Sequence, residues 1–344
     1  MTPPPDFAHD FAAVAFAPAV APGSLHASET PRTSGAMQGD IVRGEITGTV
    51  AAIASDVSRL ARPRIALMVL ATVVASMWLT AGRGVGGPAL FWLLVGTTLV
   101  AASSSIANQI LERDADRRMP RTARRPIAAG RLSVPLAVML ATLLVAAGGL
   151  MITLASGWQP AVAALATWIL YVAVYTPMKM RSPLNTAVGA VSGALPVAIG
   201  WLAADGPERL AAGDAAGTLA VAALATVLYL WQFPHFMAIA WLYRGQYAAA
   251  GMRMLTVDDP SGLRAAGQAL AASLAMVPVS LVLAVPSGSI RLFLAAAIAS
   301  LVYAVATVGF AVRRDDASAR TLLFTSLGSL LALLTASVMF GTPG

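Results

Sequence analysis

Nine apolar segments follow one another from Ile65 to the C-terminal region, each close to the roughly 20 residues that cross the hydrocarbon core of a bilayer. Charges or turn-forming residues separate them. The chain is 58% hydrophobic with a mean hydropathy of +0.74, which is too apolar for a soluble domain of 344 residues. We therefore predict an all-α integral membrane protein with nine transmembrane helices, over approximately 65–81, 89–109, 133–153, 160–176, 184–203, 216–236, 266–285, 290–312 and 321–341.

The Lys and Arg residues between these segments are distributed unequally. Counted on alternate sides, eighteen lie on the side of the N-terminus and three, Arg83, Arg209 and Arg291, lie on the other. The positive-inside rule then places the N-terminus in the cytoplasm and the C-terminus outside, most simply in a bacterial inner (plasma) membrane. Because lipid cannot satisfy polar side chains, we expect the helices to form a bundle around a central cavity that opens to the cytoplasmic side.

Residues 1–58 precede the apolar segments and are rich in Ala, Pro, Ser, Thr and Gly. This composition predicts a disordered or interfacial tail, with a short amphipathic helix over 41–61. The apolar patch at 11–20 lacks a basic flank and contains Pro18, so it does not resemble a signal peptide. Residues 59–344 are expected to form the nine-helix domain.

One intensely charged stretch, residues 108–126, lies directly against apolar sequence. Asn108, Glu112 and Asp116 are spaced four apart, so on a helix their side chains share one face. Two carboxylates and an amide oxygen beside several guanidinium groups suit a hard cation and a phosphate together. Arginines in such a loop can also serve topology alone, but that explanation leaves the acids in helical register unexplained.

A second charged patch is Y-T-P-M-K-M-R-S-P-L-N, residues 175–185. It holds Lys179, the only lysine of the chain, and Arg181 in a turn bounded by prolines. A cation fixed in this way suits an anionic ligand. The alternative is that both side chains are loop charges extending toward the membrane surface.

A third patch is W-Q-F-P-H-F, residues 231–236, in which Pro234 is expected to break the helix near its end. His235 is the only histidine outside the tail, and Gln232 lies three residues before it. Buried polar groups in a membrane are costly, which favours a functional or a hydrogen-bonded structural role. The chain has no cysteine, so disulfides and thiolate metal sites are excluded, and a centre built from histidines is not expected.

The series N-x-x-x-E-R-D-x-D-x-x-M-x-R-T-x-x-R-P, followed by Y-T-P-x-K-x-R-x-x-x-N, W-Q-x-P-H-F and Y-x-x-A-G-x-x-M-L, resembles the UbiA-type intramembrane prenyltransferases. Within them it is most similar to the branch that farnesylates haem. The resemblance covers about residues 55–341 in order. The pairing of R-T-x-x-R-P with W-Q-x-P-H-F is the most specific part of it.

The resemblance implies roles for particular residues. Asn108, Glu112 and Asp116 match the family's N-x-x-x-D-x-x-x-D pattern for Mg²⁺, with Glu in place of the first Asp. The family's second motif carries an acidic residue where this chain has Gln246, so a second metal site there would have a neutral amide, and Asp258 or Asp259 could supply the missing charge. Lys179 is implied as a catalytic cation. The remaining substrate-binding residues implied are Arg113, Arg117, Arg121, Arg125, Tyr175, Arg181, Asn185, His235 and Tyr247.

The implied reaction transfers a farnesyl group from farnesyl diphosphate to a vinyl group of haem b, with Mg²⁺ as cofactor. Expected partners are these two substrates, the lipid bilayer and a downstream haem-modifying membrane enzyme. The net charge of +7 does not indicate nucleic-acid binding, because residues 112–131 hold seven arginines against three acids beside the membrane. Two rival functions remain: prenylation of another acceptor such as a quinone precursor, and membrane transport.

Overall fold

The structure is a computed structural model that describes residues 54–82 and 86–341. All regular secondary structure in these residues is helical. Nine of the helices are long and apolar enough to cross a membrane, which confirms the predicted number within the described chain. In chain order they are α1 (Pro63–Ala81), α2 (Pro88–Leu111), α3 (Val134–Ser156), α4 (Trp158–Met178), α5 (Asn185–Ala203), α6 (Ala215–Leu242), α7 (Leu263–Val282), α8 (Ile290–Arg313) and α9 (Asp316–Phe340).

Helix ends follow local backbone chemistry. Pro63 and Pro88 begin α1 and α2, where the missing N–H has no helical partner to lose. Gly157 adopts φ 90° between α3 and α4, a conformation that glycine reaches without strain. The predicted break at 313–320 is shorter in the structure, because Asp315 accepts the N–H of Ser318 and starts α9 with a capping box.

The prediction that Pro234 breaks its helix is wrong. Helix α6 continues through Pro234 to Leu242. In a membrane bundle, neighbouring helices can satisfy backbone groups that a proline disturbs. The carbonyl that loses its helical N–H partner at Pro234 is that of Leu230. Beside it, the Tyr303 hydroxyl from α8 donates to the carbonyl of Trp231 over 2.7 Å. The consequence is that His235 lies inside a continuous helix.

The nine helices pack in two groups of four, which are joined by α1 and by a direct contact between α5 and α6. Each of α2 to α5 contacts the next helix in chain order, α6 to α9 do the same, and α6 also contacts α9. Helix α1 contacts α2 and α5 on one side and α6 and α9 on the other. The structure contains no membrane, so the opening of a central cavity toward the cytoplasm stays a prediction.

Small residues and hydroxyls join the helices at close range. A Cβ at Gly96 of α2 would come within 2.8 Å of the Gly148 carbonyl of α3, so this crossing requires glycine. Ser76 donates to the carbonyl of Val197 over 2.6 Å and thereby connects α1 to α5. Interhelical hydrogen bonds of this kind contribute on average about 0.6 kcal/mol each in membranes, so many are needed.

Large apolar side chains also cover the outside of the bundle. On α8, Ile298, Val305 and Val312 are exposed, while Tyr303 and Phe310 of the same helix are completely buried. A soluble protein does not expose so much apolar surface along a helix. The outer faces therefore suit lipid, and the protein is an integral membrane protein.

The compact unit runs from Ile53 to Gly344. Residues 54–61 are helical and form the described part of the interfacial helix predicted over 41–61. Arg131 pairs with Asp56, with nitrogen to oxygen distances of 2.7 and 2.8 Å, which connects this segment to the loop after α2. The rest of the predicted tail, residues 1–53, lies outside the described residues.

Candidate active site

The predicted Asn108, Glu112 and Asp116 face is present at the end of α2. The Glu112 N–H donates to the Asn108 carbonyl over 2.9 Å, and the Asp116 N–H donates to the Glu112 carbonyl over 2.7 Å. The four-residue spacing therefore continues from α2 into the short helix Arg113–Arg118. Asn108 and Asp116 are 0% exposed and Glu112 is 7% exposed, so three polar side chains are buried together.

Two cations from other parts of the chain face these carboxylates. Lys179, just after α4, places Nζ 2.7 Å from Glu112 Oε1. Arg125 donates through Nη1 to both Asp116 oxygens, over 2.8 and 2.7 Å, and lies 3.8 Å from Glu112 Oε2. The first and second charged patches of the sequence therefore form one cluster.

A short π-helical segment, Leu170–Tyr175, positions the Lys179 side of this cluster within α4. Such segments shift the register of the helix and are frequent at functional sites. Directly after it, Thr176 accepts a hydrogen bond from Asn108 Nδ2 over 3.1 Å. Lys179 Nζ also lies 4.5 Å from the centre of the Tyr175 ring, and Tyr175 packs against Gly189 of α5.

The turn after Asp116 positions Arg125. The Thr122 hydroxyl donates to the Asp116 carbonyl over 3.1 Å, and Arg117 Nε donates to the Ala128 carbonyl over 2.9 Å. Met119 is buried, and with Ala115 it packs against Ala240 of α6. These contacts explain the R-T-x-x-R-P pattern: the threonine closes the turn that returns Arg125 to Asp116.

The segment after α6 lies against the same loop. Tyr247 packs on the cluster that contains Ala115 and Met119, and its hydroxyl accepts from Arg121 Nη2 over 3.4 Å. The Arg121 guanidinium also lies 4.6 Å from the centre of the Tyr243 ring. The Oε1 atom of Gln246 is buried and has no hydrogen-bond partner among the described residues.

Asp258 and Asp259 have other partners. Asp258 accepts from Arg253 over 3.1 Å. Asp259 accepts from the Ser261 hydroxyl and from the backbone N–H groups of Ser261 and Arg264. The Ser261 hydroxyl and then the Arg264 N–H hold the pKa of Asp259 below its usual range. These contacts favour a turn at Asp258, Asp259 and Pro260 over the expected role of either aspartate in supplying charge to a metal site.

Within the cluster, burial and neighbouring charges shift the pKa values in opposite directions. Burial would raise the pKa of Glu112, but the Lys179 ammonium, then Arg125 and Arg62, outweigh it and hold that pKa below its usual range. Burial raises the pKa of Asp116, and the Arg125 guanidinium offsets only part of this effect. Burial would lower the pKa of Lys179, but Glu112 raises it, so the lysine is a cation.

Arg62 was not predicted as a site residue, because in the sequence it is one of the eighteen cations that indicate topology. Arg62 precedes α1 with φ 48°, a left-handed conformation that costs a residue with a side chain about 1 to 3 kcal/mol. Its guanidinium is close enough to lower the pKa of Glu112 and of Arg125. One terminal nitrogen is buried without a hydrogen-bond partner among the described residues. Arg62 therefore brings to the cluster a positive charge and an N–H donor that no described residue uses, and both can bind an anion.

Several predicted residues lie at the edge of the cluster or outside it. Arg113 and Arg117 pair with the exposed Asp114, at 3.3 and 3.4 Å. Arg181 is exposed. Asn185 donates to the carbonyls of Ser182 and Arg253 and so joins two loops. His235 contacts α9 and not the charged loop.

The oxygen donors present fit Mg²⁺. Asn108 Oδ1 is buried and lacks a hydrogen-bond partner within the described chain, and the Glu112 and Asp116 carboxylates lie on the same face. Carboxylate and amide oxygens are the ligands that Mg²⁺ takes in proteins. No group of three or more His, Cys, Asp or Glu side chains that could hold a metal occurs in the described residues, so two carboxylates are the full acidic set.

A membrane bundle with buried carboxylates, facing cations and buried amide oxygens that lack described partners has the ligand types that suit a metal and an anionic group. The family model for the UbiA prenyltransferase family matches residues 69–332. The chain belongs to the UbiA prenyltransferase family.

Among curated relatives, the chain is 42% identical over 283 residues to a protoheme IX farnesyltransferase of Rhodopirellula baltica. That match covers 80% of this chain and 96% of the relative. It is 36% identical to a protoheme IX farnesyltransferase of Solibacter usitatus, with 84% and 99% covered.

Solved structures share the fold at low sequence identity. A digeranylgeranylglyceryl phosphate synthase aligns with a TM-score of 0.67 at 13% identity, covering 83% of this chain and 98% of the other. A UbiA homolog from Archaeoglobus fulgidus, solved bound to GPP and Mg²⁺, aligns with a TM-score of 0.57 at 17% identity, covering 82% and 99%. At these identities the likeness shows the fold alone.

Proposed function

We propose that this protein transfers the farnesyl group of farnesyl diphosphate to a vinyl group of haem b. The observation that carries the proposal is the buried cluster in which Glu112 and Asp116 face Lys179 and Arg125. It occurs in a chain 42% identical to a protein named protoheme IX farnesyltransferase. The cluster supports diphosphate chemistry, and the relatives' names support haem as the acceptor.

Asn108, Glu112 and Asp116 would hold Mg²⁺, with Gln246 as a neutral contributor from the segment after α6. When bound, Mg²⁺ neutralises charge on the diphosphate as its ester bond breaks. In the structure the two carboxylates already have cationic partners, Lys179 and Arg125. A metal ion and a diphosphate carry opposite charges. When both bind, Lys179 and Arg125 can therefore release the carboxylate oxygens and contact phosphate oxygens instead, without upsetting the balance of charge in the site.

The diphosphate would then be held by cations that differ in their exposure to solvent. Lys179, Arg125 and Arg62 reach it from within the cluster, and Arg121 reaches it from the rim beside Tyr247. Arg113, Arg117 and Arg181 are more exposed and suit capture of the anion before it enters. Cations that stabilise the departing oxygens in a site with little water lower the barrier to ionisation.

The reaction consumes one water molecule. The bond between farnesyl C1 and the diphosphate oxygen breaks, and diphosphate leaves with the electron pair. The π electrons of the haem vinyl group attack C1, which leaves a cation on the vinyl carbon next to the ring. Water adds to that carbon and loses a proton, which gives the hydroxyethylfarnesyl group. Apolar walls around the isoprenoid keep water from capturing the allylic cation first.

We further propose that the protein resides in a bacterial inner membrane with its N-terminus in the cytoplasm. The excess of Lys and Arg on the side of the described charged loops supports this orientation. The carboxylate cluster lies on that side, where a soluble diphosphate would be available. A fusion reporter at each terminus, assayed in intact cells, tests the orientation.

The test of the function is expression of the chain in membranes that receive haem b and farnesyl diphosphate, followed by mass analysis of the extracted haem. We expect haem whose mass has increased by one farnesyl group and one hydroxyl group. If haem is unchanged while an added quinone precursor becomes prenylated, the family assignment stands and the acceptor is wrong. Transport without any prenylated product would contradict the proposal entirely.

A further inference from the structure

Neither Gln232 nor His235 of the W-Q-F-P-H-F motif contacts the diphosphate cluster, and the Gln232 amide donates to the carbonyls of Ala190 and Leu228 instead. His235 is partly exposed, although the four residues before it, Trp231 to Pro234, are buried. Its ring stacks on the Trp231 ring, with centroids 4.7 Å apart and planes at 22°. Within the described chain, the one hydrogen bond of the ring joins Nδ1 to Ser326 Oγ of α9 over 2.7 Å.

The direction of that hydrogen bond follows from the serine. Ser326 Oγ donates its only proton to the Leu323 carbonyl over 2.6 Å. With the serine proton directed to Leu323, we assign the serine oxygen as the acceptor from the histidine and place the ring proton on Nδ1. In the neutral imidazole the lone pair is then on Nε2, the nitrogen that has no hydrogen-bond partner in residues 54–82 and 86–341.

The surrounding contacts fix the orientation of the ring. The Trp231 indole N–H donates to the Ser326 carbonyl over 2.8 Å, and the Tyr303 hydroxyl donates to the Trp231 carbonyl over 2.7 Å. Three helices, α6, α8 and α9, thus hold the stacked Trp231 and His235 pair. An imidazole whose Nδ1–H is bound and whose Nε2 is available has the arrangement found in metal-ligating histidines.

We propose that His235 Nε2 is an axial ligand to the iron of the haem acceptor. This inference rests on the proposed function, because it assumes that the acceptor carries iron. Neutral imidazole is a common protein ligand of haem iron, and a hydrogen-bonded Nδ1 increases its basicity. The partial exposure of His235 gives a planar ligand access to Nε2.

The test compares haem b with iron-free protoporphyrin IX as ligands of the purified full chain in detergent. The variant is His235→Asn, whose amide can still donate to Ser326 but has no atom at the position of Nε2. We expect haem to bind about tenfold more weakly to the variant, with a changed Soret band and loss of the nitrogen-ligated iron signal in electron paramagnetic resonance. Protoporphyrin IX should bind both proteins equally, within about twofold.

Two further measurements complete the design. Ser326→Ala should weaken haem binding in the same direction but less, because the ligand remains while its orientation is lost. Imidazole added to His235→Ala should restore the nitrogen-ligated signal. Unchanged haem spectra in His235→Asn would overturn the inference, and so would an equal loss of both porphyrins, which indicates a structural role. Mass analysis of haem from the parent protein separates the cases: if farnesylated haem forms while the iron signal is independent of His235, only this inference fails.

Discussion

The loop after α2 and the segment after α6 both carry acidic residues, but they use them differently. Glu112 and Asp116 are buried against Lys179 and Arg125, whereas Asp258 pairs with Arg253 beside a turn that Asp259 holds closed. Burying charge is costly, and a hydrophobic substitute of similar size would often be at least as stable. Buried ion pairs at the ends of transmembrane helices therefore favour a binding role, while acids that close turns favour a local structural role.

The largest effect is expected from a substitution in the carboxylate cluster at the end of α2. Asp116→Asn should reduce product formation by about 100-fold or more, because a metal ligand charge in a site with little water is worth several kcal/mol. The matched control is Asp114→Asn, which changes an exposed carboxylate in the same short helix. Haem product is measured by mass at equal expression of the variants. Equal activity of Asp116→Asn and the parent would remove the cluster from the mechanism.

The second prediction concerns the cation that faces Glu112. Lys179→Ala should raise the apparent Michaelis constant for farnesyl diphosphate by about tenfold, and that for haem much less, because an ammonium contacts the anion and not the porphyrin. Lys179→Arg keeps the charge and should recover part of the loss. Steady-state kinetics with each substrate varied in turn gives both constants. If the two constants rise together, the diphosphate role of Lys179 is wrong.

The third prediction concerns Gln246, in the segment after α6. If its buried amide oxygen contributes to metal binding, Gln246→Asp should lower the Mg²⁺ concentration for half-maximal rate, by up to about tenfold, or about 1.4 kcal/mol. Asp258→Asn and Asp259→Asn should leave this concentration unchanged, because both acids have other partners. A higher Mg²⁺ requirement in Asp258→Asn or Asp259→Asn would show that the turn supplies the missing charge. Four coincident Mg²⁺ titrations would exclude a metal site in this segment.

The smallest expected effect lies at the N-terminus. Deletion of residues 1–52 should leave insertion and activity unchanged, since the compact unit begins at Ile53. Deletion of residues 1–61 should reduce activity, because it removes Asp56 and the backbone carbonyls of Arg59 and Leu60 that accept from Gln109 next to the cluster. Membrane fractionation and the haem product assay check both. An equal effect of the two deletions would contradict the importance of the 54–61 helix.

The number of helices and the acidic face were predictable because both depend on local sequence. Bilayer thickness sets helix length, and the spacing of Asn108, Glu112 and Asp116 needs only a helix. The continuation of α6 through Pro234 was not predictable, since it depends on neighbouring helices such as the one that carries Tyr303.

The partners of the acids also depend on tertiary structure. Lys179 is 67 residues from Glu112 in sequence, and nothing in the spacing indicates which acid it faces. Arg62 was missed because its left-handed backbone, which turns the side chain toward the cluster, leaves no signal in the sequence. The arginines of the loop look alike in sequence, but only Arg125 is returned to Asp116 by the turn that Thr122 closes.

The most direct test of the central claim is electron paramagnetic resonance with Mn²⁺ in place of Mg²⁺, since both take octahedral oxygen sites. Mn²⁺ is added to the purified protein with and without farnesyl diphosphate, in the parent, Asp116→Asn and Asp258→Asn. The account predicts a bound Mn²⁺ signal that strengthens with farnesyl diphosphate in the parent and in Asp258→Asn, and that is lost in Asp116→Asn. Loss of the signal in Asp258→Asn with retention in Asp116→Asn would place the metal in the other segment and contradict the account.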